Sequence, residues 1–176
     1  MLRSERSEIT PTKATLGRAY NSNDELYGGH HAIDKDLSTI AATHTDHGTG
    51  WLKLELDRTY LIEKVVIYYR FNTNWYDSLE LCFNIFATCV AHNSNVDVSV
   101  YQGEVKQKSC GTLLLSSGLE QSDQIYTLVC NIGGDTVILS KSTYVIAVCE
   151  IVVIGTIIPG ITYAYCYMWF QVLLKK

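Results

Sequence analysis

Several absences narrow the field before any motif is read. None of the six cysteines forms a Cys-x-x-Cys pair, which removes a zinc ribbon. Asn-x-Ser/Thr acceptors are also missing, so N-glycosylation has no site. Only two prolines interrupt 176 residues, and no stretch repeats apolar residues at the helical period. The basic excess that nucleic acid requires is lacking: 14 Lys and Arg face 18 Asp and Glu, a formal charge of −4. Nucleic acid is therefore excluded as a partner. The charged N-terminus, Met-Leu-Arg-Ser-Glu-Arg-Ser-Glu, has no apolar core of a secretory leader. No nucleophile–base pair is spelled out, so the expectation is a protein that is not an enzyme.

What is present favours β-structure. The chain is 47% hydrophobic and holds 12 tyrosines and three tryptophans, enough to close a core rich in strands. Residues 1–12 read as a flexible leader. Residues 14–50 carry little periodicity and many turn formers, with a short strand at most near residues 13–20. Residues 52–56 (LKLEL) alternate strictly, residues 57–59 suggest a turn, and residues 61–69 (LIEKVVIYY) form a long strand. Residues 71–78 are a polar loop carrying Trp75. Further strand signals fall at 79–88, 96–101, 112–115, 125–129, 136–139 and 143–154. Short strands separated by polar loops indicate an all-β sandwich.

One segment, from His31 to Arg70, concentrates the chemistry. His-Ala-Ile-Asp-Lys-Asp (31–36) and Ala-Thr-His-Thr (42–45) precede a lone Trp51 that can close a core. Clustered oxygen ligands suit a hard cation, although Asp34 and Asp36 equally suit the capping of a turn. Four histidines (His30, His31, His44, His47) lie with Asp34, Asp36 and Asp46 in eighteen residues. That set could build a zinc site, but no His-Glu-x-x-His framework accompanies it. Residues 156–174 are uncharged and aromatic-rich, followed by Lys175 and Lys176. Their length approaches the roughly 20 residues of a bilayer span. Pro159, Gly160, Thr162 and Gln171 speak against one. A membrane anchor, an extra strand or buried tail, and a non-native end all stay open.

The order of these motifs resembles the fucolectins, fucose-binding lectins related to the discoidin domains of coagulation factors. Ala-Ile-Asp comes first, then Thr-His-Thr, and a tryptophan before Leu-x-Leu-x-Leu. Next are a strand ending in Arg70, Cys110-Gly111, Cys130, and Cys-Glu-Ile-Val-Val at 149–153. The similarity covers residues 13–155 and implies a jelly-roll β-sandwich with a ligand site in loops at one end. It further implies a calcium ion at the positions of His31, Asp34, Asp36, Ala41, Cys149 and Glu150. Of these, Ala41 brings no side-chain oxygen, and His31 brings an imidazole where a hard cation prefers oxygen. His44 and Arg70 match the family's sugar-binding His and first Arg, while Ser78 stands where a second Arg is expected. Trp75 or Tyr76 would replace the apolar ledge formed in the family by adjacent cysteines.

The resemblance also implies a Cys110–Cys130 disulfide. Ala42 occupies the place of the usual partner of Cys149. The implied partners are fucosylated or related glycans. The implied setting is extracellular or at the cell surface, with homo-oligomerisation as a source of avidity. The competing expectation is a discoidin-like adhesion module that binds protein or membrane surfaces through the same loops. Trp75, Tyr76 and Tyr27 would then serve as apolar spikes.

Overall fold

Alternation in residues 52–56 buries Leu52, Leu54 and Leu56 on one face, each contributing roughly 1.5–3 kcal/mol of apolar burial. The computed structural model describes residues 6–44, 49–69, 95–114, 125–142 and 145–158. Among the described residues the chain orders as β1 (Ser7–Ile9), β2 (Lys13–Leu16), α1 (Asp24–Tyr27), β3 (Ala41–Ala42) and β4 (Gly50–Tyr68). Then come β5 (Val96–Gln102), β6 (Val105–Leu113), β7 (Ile125–Lys141), β8 (Ala147–Val148) and β9 (Glu150–Ile157). Short 3-10 turns at Tyr20–Ser22 and Gly29–Ala32 flank α1.

The larger sheet runs β1-β9-β4-β7-β5-β6, with β2 also on β4. All its pairings are antiparallel. Two long strands, β4 and β7, lie side by side from Gly50↔Lys141 to Tyr68↔Ile125. In the first half of β4 their outer neighbours are β2 and β5; in the second half β9 takes the place of β2. The register jogs between Glu55 and Tyr60. Side chains of both halves share one core: Leu52, Leu54, Val98 and Val137 from one, Ile62, Ile67, Ile151 and Val153 from the other. The sheet thus folds over itself into a β-sandwich. Gly134 lies where it turns, and a Cβ there would meet Val100 Cγ1 and the Tyr101 carbonyl.

The structure corrects several boundaries. Ser7–Ile9, within the expected leader, pairs with β9, and Ile9 is buried. Three residues are too few to show a period, so the strand has no sequence signal. The expected turn at 57–59 is a bulge inside a continuous β4. There the Asp57 carboxylate accepts from Tyr60 Oη (2.7 Å) and Arg58 Nε (2.8 Å). Strands expected at 125–129 and 136–139 fuse into β7 across Gly133 and Gly134, while 143–154 divides at Cys149. Trp51 is half-buried on the face opposite Leu52 and Leu54. It lies over Gly17, where an added Cβ would come within 2.7 Å of its ring nitrogen, and the leucines close the core instead. Cys110 and Cys130 form the expected disulfide, with Cα atoms 4.5 Å apart. The strand expected at 79–88 and the tail from 159 onward lie outside the described residues, as do Cys82, Cys89 and Cys166.

Candidate functional site

A capped turn of helix starts the site. Asn23 Oδ1 accepts from the Leu26 N–H (3.1 Å), satisfying one of the unpaired donors at the start of α1. The following 3-10 turn packs tightly on β2: a Cβ at Gly29 would come within 2.7 Å of the Ala14 carbonyl oxygen. That contact delivers His31 to the loop. Its Nδ1 lies 3.0 Å from Asp34 Oδ2 and its Nε2 lies 2.9 Å from the Glu25 carbonyl oxygen. The rings of His30 and His31 stand 4.0 Å apart.

The loop beyond is tied by its own carboxylates. Asp34 Oδ1 accepts from the Asp36 N–H (2.9 Å), and Asp34 Oδ2 also accepts from the Thr39 hydroxyl (2.8 Å). Asp36 Oδ1 accepts from the Ser38 N–H (2.8 Å). Lys35 takes a left-handed conformation, φ 63°. This conformation accompanies an amide N–H that donates to Glu150 Oε2 at 2.9 Å, 115 positions along the chain. Lys35 Nζ reaches Glu8 Oε1 at 3.2 Å, which ties β1 to the same place.

Electrostatics differ between the two carboxylates. Burial pushes the Glu150 carboxyl up, and the nearby charges of Asp34 and Glu8 add to this against the Lys35 N–H. Burial also acts on Asp34, but there the His31 ring, the Asp36 N–H and the Thr39 hydroxyl outweigh it and hold the carboxyl low. Negative charge is therefore concentrated beside Glu150.

The Lys35 N–H bond brings the loop of the expected cation residues to Glu150 at the start of β9. His31, Asp34 and Asp36 share the loop, and Glu150 meets it. Ala41 pairs with Val148, next to Cys149. Glu150, Asp34 and Asp36 carry carboxylate oxygens, the donor type of which calcium takes six to eight. His31 does not add an imidazole ligand, because both ring nitrogens are turned to Asp34 and Glu25. Among the described residues no three His, Cys, Asp or Glu side chains form a group able to hold an ion by themselves. Carbonyl oxygens such as those of Ala41 and Cys149 would have to complete the shell. Cys149 is buried. His47 and Asp46 of the possible zinc set lie outside the described residues.

Three positions after Ala41 comes His44. Thr43 is 2% exposed. Its N–H donates to the Ile146 carbonyl (3.0 Å) and its Oγ1 accepts from the Ile146 N–H (2.9 Å). The His44 N–H donates to the Arg18 carbonyl (2.8 Å), and its ring centroid is 6.2 Å from that of Tyr20. A small second core of Ala19, Tyr27, Ala42 and Val145 underlies this corner. Tyr27 is 6% exposed, so it is a core residue and not the spike expected of it. Arg70, Trp75, Tyr76 and Ser78 lie outside the described residues. Sequence reasoning missed Thr39, Glu8, Arg18 and Tyr20, none of which carries a local signal.

No protein-family model matches the chain, and no curated protein does. Solved structures do. A Streptococcus pneumoniae fucose binding module aligns with a TM-score of 0.59 at 16% identity, covering 84% of this chain and 96% of that one. The chain shares its fold. A fucolectin from striped bass (Morone saxatilis) serum gives 0.61 at 14% identity, covering 83% of this chain and 46% of that one. This chain thus spans less than half of the bass lectin. The F5/8 type C domain of a Bacteroides fragilis protein gives 0.59 at 17% identity, covering 83% and 92%. The likeness joins the sugar-binding and discoidin-type modules in one architecture.

Proposed function

We propose that the protein is a non-catalytic carbohydrate-binding module, and that His44 and Arg70 hold a fucose-type or related glycan. The observation that carries this reading is the meeting of the 33–39 loop with Glu150 through the Lys35 N–H, nine positions along the chain from His44. A sugar site needs few donors but needs them fixed. A buried core and the Thr43–Ile146 bonds fix the backbone at His44, and carboxylates tie the loop before it. A fucose binding module and modules of this fold complexed with Lewis b or galactose agree with a glycan as partner.

Calcium is the proposed brace, held by Asp34, Asp36 and Glu150 with carbonyl oxygens of Ala41 and Cys149. When bound, it would supply a fixed positive charge beside Glu150 and stiffen the loop. The setting is extracellular or at the cell surface, and self-association would raise the avidity of a single shallow site. A glycan array with and without calcium tests the whole. Retention of fucosylated or galactosylated glycans, lost in His44→Ala and Arg70→Ala variants that still fold, is the expected result. Unaltered retention by both variants would place the site elsewhere.

A second reading rests on Leu26 and Leu37, 57% and 55% exposed in α1 and the 33–39 loop. Apolar tips on the same end would suit a discoidin-like adhesion surface. Co-flotation with lipid vesicles, lost on Leu26→Ser and Leu37→Ser, would favour it over the glycan.

A further inference from the structure

The short antiparallel bridge Ala19↔Thr43 sets the direction of the side chains beside it. Ala19 and Thr43 are 3% and 2% exposed, so that pair faces inward. In an antiparallel ladder the next pair outward faces the other way, and its two side chains share a face. That pair is Arg18 and His44, joined by the His44 N–H to Arg18 carbonyl bond of 2.8 Å. Arg18 is exposed and His44 half-exposed, and the Tyr20 ring lies against the imidazole. One small face thus carries a guanidinium, an imidazole and an aromatic ring.

The guanidinium is held in place. Arg18 Nε and Nη2 donate to Ser22 Oγ at 3.1 and 2.9 Å. Those bonds use two of its five N–H donors; among the described residues the others meet no acceptor. The turn that presents Ser22 is itself unusual. Asn21 and Ser22 both take left-handed conformations, φ 51° and 55°, and the Ser22 N–H to Ala19 carbonyl bond (2.9 Å) closes it. Such conformations persist where surrounding bonds enforce them. Here they set Ser22 Oγ where the Arg18 fork meets it.

We infer that Arg18 is a sugar-contacting residue of the His44 site, binding two vicinal hydroxyls of a neutral pyranose while Tyr20 underlies an apolar edge. The inference rests on the proposed glycan reading and adds a residue and a ligand chemistry to it. A planar fork of N–H donors matches adjacent hydroxyl oxygens, and an aromatic ring matches the C–H face of a pyranose.

The test measures binding of fucosylated and galactosylated neoglycoproteins to the full chain by interferometry, with a melting curve for each variant. Arg18→Ala should weaken binding about ten- to hundredfold, the range for losing a charged hydrogen-bond donor. Arg18→Lys should recover only part of it. Ser22→Ala, which frees the fork from its anchor but keeps its donors, should weaken binding clearly less than Arg18→Ala. Full affinity in Arg18→Ala with loss in His44→Ala overturns the Arg18 assignment and leaves the glycan reading standing. Equal loss in Ser22→Ala and Arg18→Ala would assign Arg18 to holding the turn, and overturns it too. Absence of binding by the parent to either probe, or indifference to His44→Ala, overturns the glycan reading and the inference together.

Discussion

Replacing Thr43 by valine isolates one hydrogen bond at the centre of the candidate site. Valine keeps the shape and branching of threonine but offers no oxygen, so the change removes a hydrogen-bonding group and little volume. The Ile146 N–H now bonded at 2.9 Å would lose its acceptor. Both residues are inaccessible, Thr43 at 2% and Ile146 at 0%, so water cannot replace the lost partner without opening the corner. An unmet buried N–H costs about 1–3 kcal/mol. For a domain of this size a loss near 2 kcal/mol lowers the melting temperature by about 4–8 °C. Thr43→Ser, which retains the hydroxyl, should lose much less. Glycan retention should fall in the valine variant as well, since His44 follows directly on the loosened residue. Calorimetry of the three proteins decides the matter. A valine variant melting within about 1 °C of the parent would refute the claim that this bond holds β3 in place.

Removing the Cys110–Cys130 bridge, which closes 20 positions, should cost on the order of 3 kcal/mol; non-reducing peptide maps and denaturant melts of Cys110→Ser and Cys130→Ser check it. Asp97 gives an acid dependence of defined sign. Burial raises its carboxyl, but the Ser109 and Ser99 hydroxyls and the Lys106 ammonium outweigh this and hold it below its ordinary value. Its contribution is therefore complete above the unfolded carboxyl value of about 3.9 and is lost as pH falls through the lower folded value. Asp97→Asn should flatten the acid limb of stability against pH, and an unchanged limb would remove Asp97 as its source. If calcium binds as proposed, it should raise the melting temperature of a chelator-treated sample, and Glu150→Gln should abolish the rise.

Where the sequence carries a local period, the fold was legible. Residues 52–56 alternate, and Leu52, Leu54 and Leu56 are the buried set. Residues 61–68 and 96–101 carry the same signal and lie in β4 and β5. Errors came where continuity depends on partners far along the chain. Asp57 and Arg58 look like a turn, yet β4 runs through them because β7 continues beside it on both sides of the bulge. Gly133 and Gly134 look like a break, yet β7 runs through them, and Gly134 must be small because the Val100 side chain and the Tyr101 backbone approach it closely. Ser7–Ile9 has no signal except its pairing with β9.

The candidate site divides along the same line, between residue types and the register that joins them. Asp34 and Glu150 could be singled out through a family pattern, but no local rule says that a Lys35 amide meets the carboxylate of Glu150. His31 shows the limit of matching by position. Its place is that of an oxygen ligand in the family pattern, while its ring bonds to Asp34 and to the Glu25 carbonyl. The side chain therefore acts within the loop, fixing Asp34 from behind. Arg18 is the converse case. It lies in a stretch without periodicity, and its relation to His44 comes only from a single bridge between Ala19 and Thr43. One residue of slip in that bridge would turn the guanidinium inward. The buried Ala19–Thr43 pair resists such a slip, because it would expose a small core residue and bury a charge. Register strength at this bridge, set by the Thr43–Ile146 bonds, is thus what decides whether arginine and histidine act on one ligand.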